Sequence, residues 1–123
     1  AVLDATVALH LPERGLTRID FPGGALLAPI VEAAPGTRLR LRVPAREVSL
    51  ATEAPQGISV HNILAGTVAA ITPGPAPALA VVAVRVEAAT LLAQVTADAV
   101  QRLGLAEGVR VFALVKSVAV LRV

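Results

Sequence analysis

The chain has 123 residues, 55% of them apolar, a net charge of +2, no cysteine and two aromatics, Phe21 and Phe112. Without cysteine there are no disulfides and no thiolate metal sites, and two aromatics leave almost none of the stacking platforms that single-strand nucleic-acid binders use. So slight a basic excess tolerates an anionic ligand without requiring a polyanion.

In chain order the predicted strands begin with Thr6–Leu9, Leu16–Phe21 and Ala25–Ile30, with a turn at Pro22-Gly23-Gly24. After the Pro35-Gly36 turn, Thr37–Val43 alternates Arg38, Arg40 and Arg42 with Leu39, Leu41 and Val43, the pattern of a half-buried strand with a wet basic face. Val48–Thr52 follows, and Glu53–Gly57 reads as a connector. From Asn62 to Val84 no charged residue occurs, a length that would span a membrane as a helix. Pro73, Pro75 and Pro77 interrupt that run, so it reads as strands Gly66–Ile71 and Leu79–Val86 around a turn. Next come Thr90–Val95, then a short helix with Thr96 as N-cap, Asp98 in its first turn, Arg102 near its end and Gly104 just past it. Val109–Lys116 and Val118–Val123 complete the list. Val109–Lys116 is apolar on both faces, which predicts cover on both sides and places the second copy centrally or at an oligomer interface, with the first copy more peripheral.

The chain holds a degenerate copy of itself. Leu26-Leu27-Ala28-Pro29-Ile30-Val31 is answered at an offset of 65 by Leu91-Leu92-Ala93-Gln94-Val95-Thr96. Gly36-Thr37-Arg38-Leu39 and Val43-Pro44-Ala45 are answered at an offset of 72 by Gly108-Val109-Arg110-Val111 and Val115-Lys116-Ser117. The second copy therefore carries seven extra residues, around Ala97–Leu103, where the helix is expected. The copies divide as residues 1–55 and 56–123. A unit this short buries only about 60% of its surface, so the two are expected to share a core. Many short strands, tight turns and little helix predict a mainly β fold of two small barrels of the oligonucleotide/oligosaccharide-binding type. The aliphatic excess predicts a self-associating surface. The chain starts with alanine and shows no secretory leader, which reads as a fragment of something longer.

Catalytic chemistry finds little support. His10 and His61 share no metal or triad spacing with carboxylates, and no glycine-rich phosphate loop precedes Lys116-Ser117. Arg38, Arg40 and Arg42 would contact phosphates on a nucleic-acid reading, but an alternating charged face is more often simply solvated. Small-anion binding fits better, with a cation, hydroxyl donors and backbone N–H groups supplied by Ser59-Val60-His61-Asn62, Thr96 and Lys116-Ser117. Each piece also has a plain structural reading: Ser59 and Asn62 as turn residues, Thr96 as a helix cap, Lys116 as a strand-end lysine with a packed stem. Where the second copy has Lys116-Ser117, the first has Pro44-Ala45. A charge on an otherwise apolar strand face needs compensation, which favours a ligand.

Together these segments resemble the molybdate-binding Mop/TOBE domain, and the whole chain resembles the C-terminal regulatory region of molybdate ABC transporter ATP-binding subunits. The resemblance rests on Gly57–Val68, Leu92–Thr96, Leu103-Gly104-Leu105 and Gly108–Val118 in the second copy. In the first it rests on Gly15–Arg18 and Arg46–Leu50. It implies paired barrel subdomains, a cytoplasmic location at the inner face of the membrane, homodimers or higher homo-oligomers, and a non-enzymatic piece of an ATPase subunit. It further implies contact with that ATPase domain and a permease, no nucleic acid and no membrane insertion. The ligand would be molybdate or tungstate, with no organic cofactor and metal only as oxyanion. By motif, Ser59, His61 and Asn62, Thr96, and Lys116 with Ser117 match the oxyanion-binding positions. His61 stands where binding members often have arginine, and imidazole offers no guanidinium fork. The first copy lacks these elements and is expected to serve as scaffold. The alternative is a structural dimerisation module without a ligand.

Overall fold

The computed structural model describes residues 1–122; Val123, the end of the last expected strand, lies outside the described residues. The first copy supplies β1 (Val2–Leu11), β2 (Leu16–Phe21), β3 (Gly24–Pro29), β4 (Arg38–Arg42) and β5 (Val48–Ala51). The second supplies β6 (Asn62–Pro73), β7 (Leu79–Val86), β8 (Ala89–Thr96), helix α1 (Ala97–Arg102), β9 (Arg110–Val115) and β10 (Ala119–Arg122). Short 3-10 turns stand at Pro12–Arg14 and Ala45–Glu47.

Two five-stranded antiparallel sheets result, in the orders β10-β4-β1-β2-β3 and β5-β9-β6-β7-β8. The sheets cross the junction between copies. β5 leaves the first copy to pair with β9, Val48 opposite Val115, and β10 leaves the second to pair with β4, Ala119 opposite Arg42. Each curled sheet is thus completed by the other copy's last strand.

The duplication is exact in register. Bulges interrupt β1 between Val7 and Leu9 and β6 between Val68 and Ala70, which accentuates the curl a barrel needs. Leu26 lies opposite Ile19 and Leu91 opposite Val84, which confirms the offset of 65. The seven extra residues form the six-residue α1 and its C-cap Leu103, and the N-cap Thr96 accepts a hydrogen bond from the Ala99 N–H at 3.0 Å.

One continuous core fills both units. Val7, Ile19, Leu26, Leu39, Leu41 and Val43 from the first copy join Val68, Val82, Val84, Leu91, Val111 and Val115 from the second. Gly23, in the first copy's hairpin turn, lies so near the second that a Cβ would stand 2.8 Å from the Val86 carbonyl oxygen. Close approach of the two units requires glycine there.

Two strands run longer than expected, β1 from Val2 and β6 from Asn62 to Pro73. Gly66 disguises the second, since glycine weakens a strand pattern; its Cβ would meet the Arg85 carbonyl oxygen at 2.5 Å. Within the sheets the Arg38–Arg42 strand is no more peripheral than Arg110–Val115, because β4 lies between β10 and β1 just as β9 lies between β5 and β6. The difference between the copies lies in their outer faces. Around β4 that face carries Arg38, Arg40 and Arg42, with Asp4 3.6 Å from Arg40. Around β9 it carries Phe112 and Leu114 beside Ala65 and Ile63, half-buried except for the exposed Ala65, so cover on that side is partial.

Candidate functional site

The β6–β9 ladder starts where Asn62 lies opposite Val115. Ser59 and His61 immediately precede the first of these residues, and Lys116 and Ser117 immediately follow the second. Antiparallel pairing therefore brings two segments 55 residues apart in sequence to one end of the sheet, a placement that spacing alone does not reveal. Ser59, His61, Lys116 and Ser117 are exposed, whereas Asn62 is 8% exposed.

Lys116 lies one residue beyond β9, and its backbone N–H donates to the Glu47 carbonyl oxygen at 2.9 Å. Its ammonium is in water, so the expectation that this charge needs burial compensation does not hold. With Ser117 and Val118 it forms the linker that carries the chain from one sheet to the other. The matching linker in the first copy, Pro44–Glu47, has no lysine or hydroxyl.

Asn62 is engaged on both polar atoms. The Leu27 N–H donates to its Oδ1 at 2.8 Å, and its Nδ2 donates to the Leu27 carbonyl oxygen at 2.9 Å. Leu27 belongs to β3, an edge strand of the other sheet. Thr96 ends β8, the strand that packs against the Ala45–Glu47 turn, and that turn receives the Lys116 N–H. Its Oγ1 is occupied as an acceptor by Ala99, which leaves its O–H free to donate. The pair of bonds to Leu27 was invisible to sequence reasoning, because the partner is a backbone group and carries no side-chain signature.

A second polar cluster also escaped the sequence. His10 Nε2 donates to the Ala33 carbonyl oxygen at 2.7 Å, an acceptor that places the ring hydrogen on Nε2. His10 Nδ1 then accepts from the Thr17 hydroxyl at 2.8 Å, and Thr17 Oγ1 accepts from the Val31 N–H at 2.9 Å. Ile71 and Val82 hold the equivalent positions in the second copy. There α1 follows β8; in the first copy, which has no helix, these polar contacts pin the segment after β3. Among the described residues no group of histidine and carboxylate side chains is placed to hold a metal ion, and no helix is long and apolar enough to cross a membrane.

Two OB-like barrels that exchange their last strands, with a cation and hydroxyls at the crossover, define a class of duplicated small-barrel domains. The family model for the TOBE domain matches residues 58–121, and the chain belongs to the TOBE domain family. It is 47% identical over 98% of its length to the molybdenum import ATP-binding protein ModC of Granulibacter bethesdensis, covering 34% of that protein. To ModC 1 of Azotobacter vinelandii it is 42% identical over 98% of its length, covering 33%. The chain thus spans about a third of the length of the curated relatives it matches. The solved structure of the cytoplasmic molybdate-binding protein ModG, with molybdate bound, superposes with a TM-score of 0.82 at 26% identity. The match covers 100% of this chain and 96% of that one. This likeness accounts for both sheets at once, since nearly all of both chains is matched.

Proposed function

We propose that this chain binds molybdate or tungstate and serves as a cytoplasmic regulatory and dimerisation domain of a molybdate importer's ATPase subunit. The observation that carries the reading is the convergence of Ser59 and His61 with Lys116 and Ser117 at one end of the β6–β9 ladder. A tetrahedral oxyanion needs a positive charge and several donors in a small volume. Lys116 supplies the charge, Ser59 and Ser117 supply hydroxyls, and His61 supplies a ring N–H; Thr96 offers a further hydroxyl at the end of β8. All five are exposed, so a second copy of the chain is needed to exclude water from the anion. The relatives' names and the bound molybdate of ModG support this choice of anion. ATP hydrolysis, if the parent protein performs it, belongs to the two thirds of the relatives' length that this chain does not span.

A bound anion alters the transporter only if it prefers one arrangement of the domains. Lys116, on the crossover linker, is well placed to sense such a difference. A structural dimerisation module is the second reading, and the partly uncovered apolar face of Ile63, Phe112 and Leu114 favours it. Calorimetric titration with molybdate, tungstate and sulfate separates the two. Sensing predicts saturable heat with molybdate or tungstate, none with sulfate, and loss of that heat in Lys116→Ala. A folded dimer silent to all three anions establishes the structural module.

A further inference from the structure

Asn62 sits within the candidate site by sequence but points its chemistry elsewhere. Both halves of its amide are matched to one residue of β3, with the oxygen on the Leu27 N–H and the nitrogen on the Leu27 carbonyl. That is the pattern of one more rung of strand, supplied by a side chain from the other sheet. Leu27 lies opposite Arg18 on an edge strand, and Asn62 covers polar groups that an added strand would otherwise take.

The tie occurs once. The shared bulges align Val7 with Val68, so the first-copy counterpart of Asn62 is Ala1, whose methyl group has no donor or acceptor to offer Leu92. The pseudo-symmetry is therefore broken twice at the same end, by Lys116-Ser117 in place of Pro44-Ala45 and by Asn62 in place of Ala1.

We propose that Asn62 is a positioning residue and not a ligand. It fixes the start of β6 against β3, so that Ser59 and His61 are presented to the same anion as Lys116 and Ser117. This rests on the oxyanion reading above. With its oxygen and one amide hydrogen held by Leu27, Asn62 has a single Nδ2 hydrogen left to offer, and turning the amide to the anion would leave an edge-strand N–H and carbonyl without their partners.

The test is amide hydrogen exchange at Leu27, read by NMR on the 123-residue chain with and without saturating sodium molybdate, beside calorimetry on the same samples. In the unsubstituted chain the Leu27 amide is expected to be protected without molybdate and no less protected with it. Asn62→Ala is expected to lower Leu27 protection and to weaken molybdate binding about tenfold with Lys116 intact. Asn62→Asp keeps the acceptor for the Leu27 N–H and is expected to recover that protection. Deprotection of Leu27 on adding molybdate overturns the proposal by showing that Asn62 turns to the anion. Unchanged Leu27 protection or unchanged affinity in Asn62→Ala overturns it as well. In the unsubstituted chain, absence of molybdate heat overturns the oxyanion reading and this proposal together, whereas heat accompanied by Leu27 deprotection overturns this proposal alone.

Discussion

Thr17 is fully buried, yet its hydroxyl serves two partners at once, accepting from Val31 and donating to His10. Such a group is worth more than one hydrogen bond, because its loss strands both partners. Thr17→Val preserves shape but leaves the Val31 N–H and His10 Nδ1 unmatched. Chemical denaturation should show a loss of about 1–3 kcal/mol, with faster exchange confined to residues 30–36. Loss below a few tenths of a kcal/mol would show that water substitutes for the hydroxyl. Neither this cluster nor the role of Asn62 was legible in the sequence. In the sequence Thr17 is one more residue of a predicted strand and Asn62 an anion donor or turn residue, until the tertiary fold supplies their partners. Ser59, His61, Lys116 and Ser117 are grouped by their donor chemistry and the family resemblance, but the strand pairing that brings the two segments to one end of a sheet has no sequence signal.

Among elements, the hairpins show where local chemistry speaks and where it is silent. Pro22-Gly23-Gly24 announces the β2–β3 turn, and glycine takes the positive φ at Gly24. The equivalent β7–β8 turn is Glu87-Ala88, with no turn residue, and Glu87 has φ 53°, the one non-glycine at positive φ among the described residues. A two-residue hairpin with positive φ at its first central position favours glycine there. Glu87→Gly should therefore raise stability by about 0.5–1 kcal/mol, measured as a higher denaturant midpoint at unchanged slope. A lower midpoint would mean that the added freedom of the unfolded chain outweighs the relieved strain. Strand positions were otherwise well signalled, Leu16–Phe21 and Leu79–Val86 to the residue. The sheet that each strand joins was not. β5 and β10 fit either of two similar sheets, and the choice is made by linker geometry and by competition for the edges of β4 and β9, neither of which leaves a periodicity.

For the whole molecule, strand exchange joins the fates of the two barrels. Removing β5 from the second sheet or β10 from the first exposes core residues contributed by both copies. Unfolding should thus be one transition, with calorimetric and van't Hoff enthalpies in agreement. Leu41→Ala, a fully buried change in the first sheet, should lower that single midpoint at a cost of about 2–5 kcal/mol. Amide protection in β7 and β8, far from the substitution in sequence, should fall with it. Two resolved transitions, or protection lost in the first sheet alone, would contradict this coupling.

The same exchange bears on how such a molecule arises. A chain of half this length would own a four-stranded sheet with a vacant edge and a fifth strand with no place in its own sheet. Two such chains would complete each other, and their folding would depend on concentration. Joining the halves through the connector of residues 52–61 turns that encounter between molecules into an event within one. The first half is the permanent partner of the second, so the architecture that required a pair is kept in a single chain even though the two linkers differ, Pro44-Ala45 in one and Lys116-Ser117 in the other.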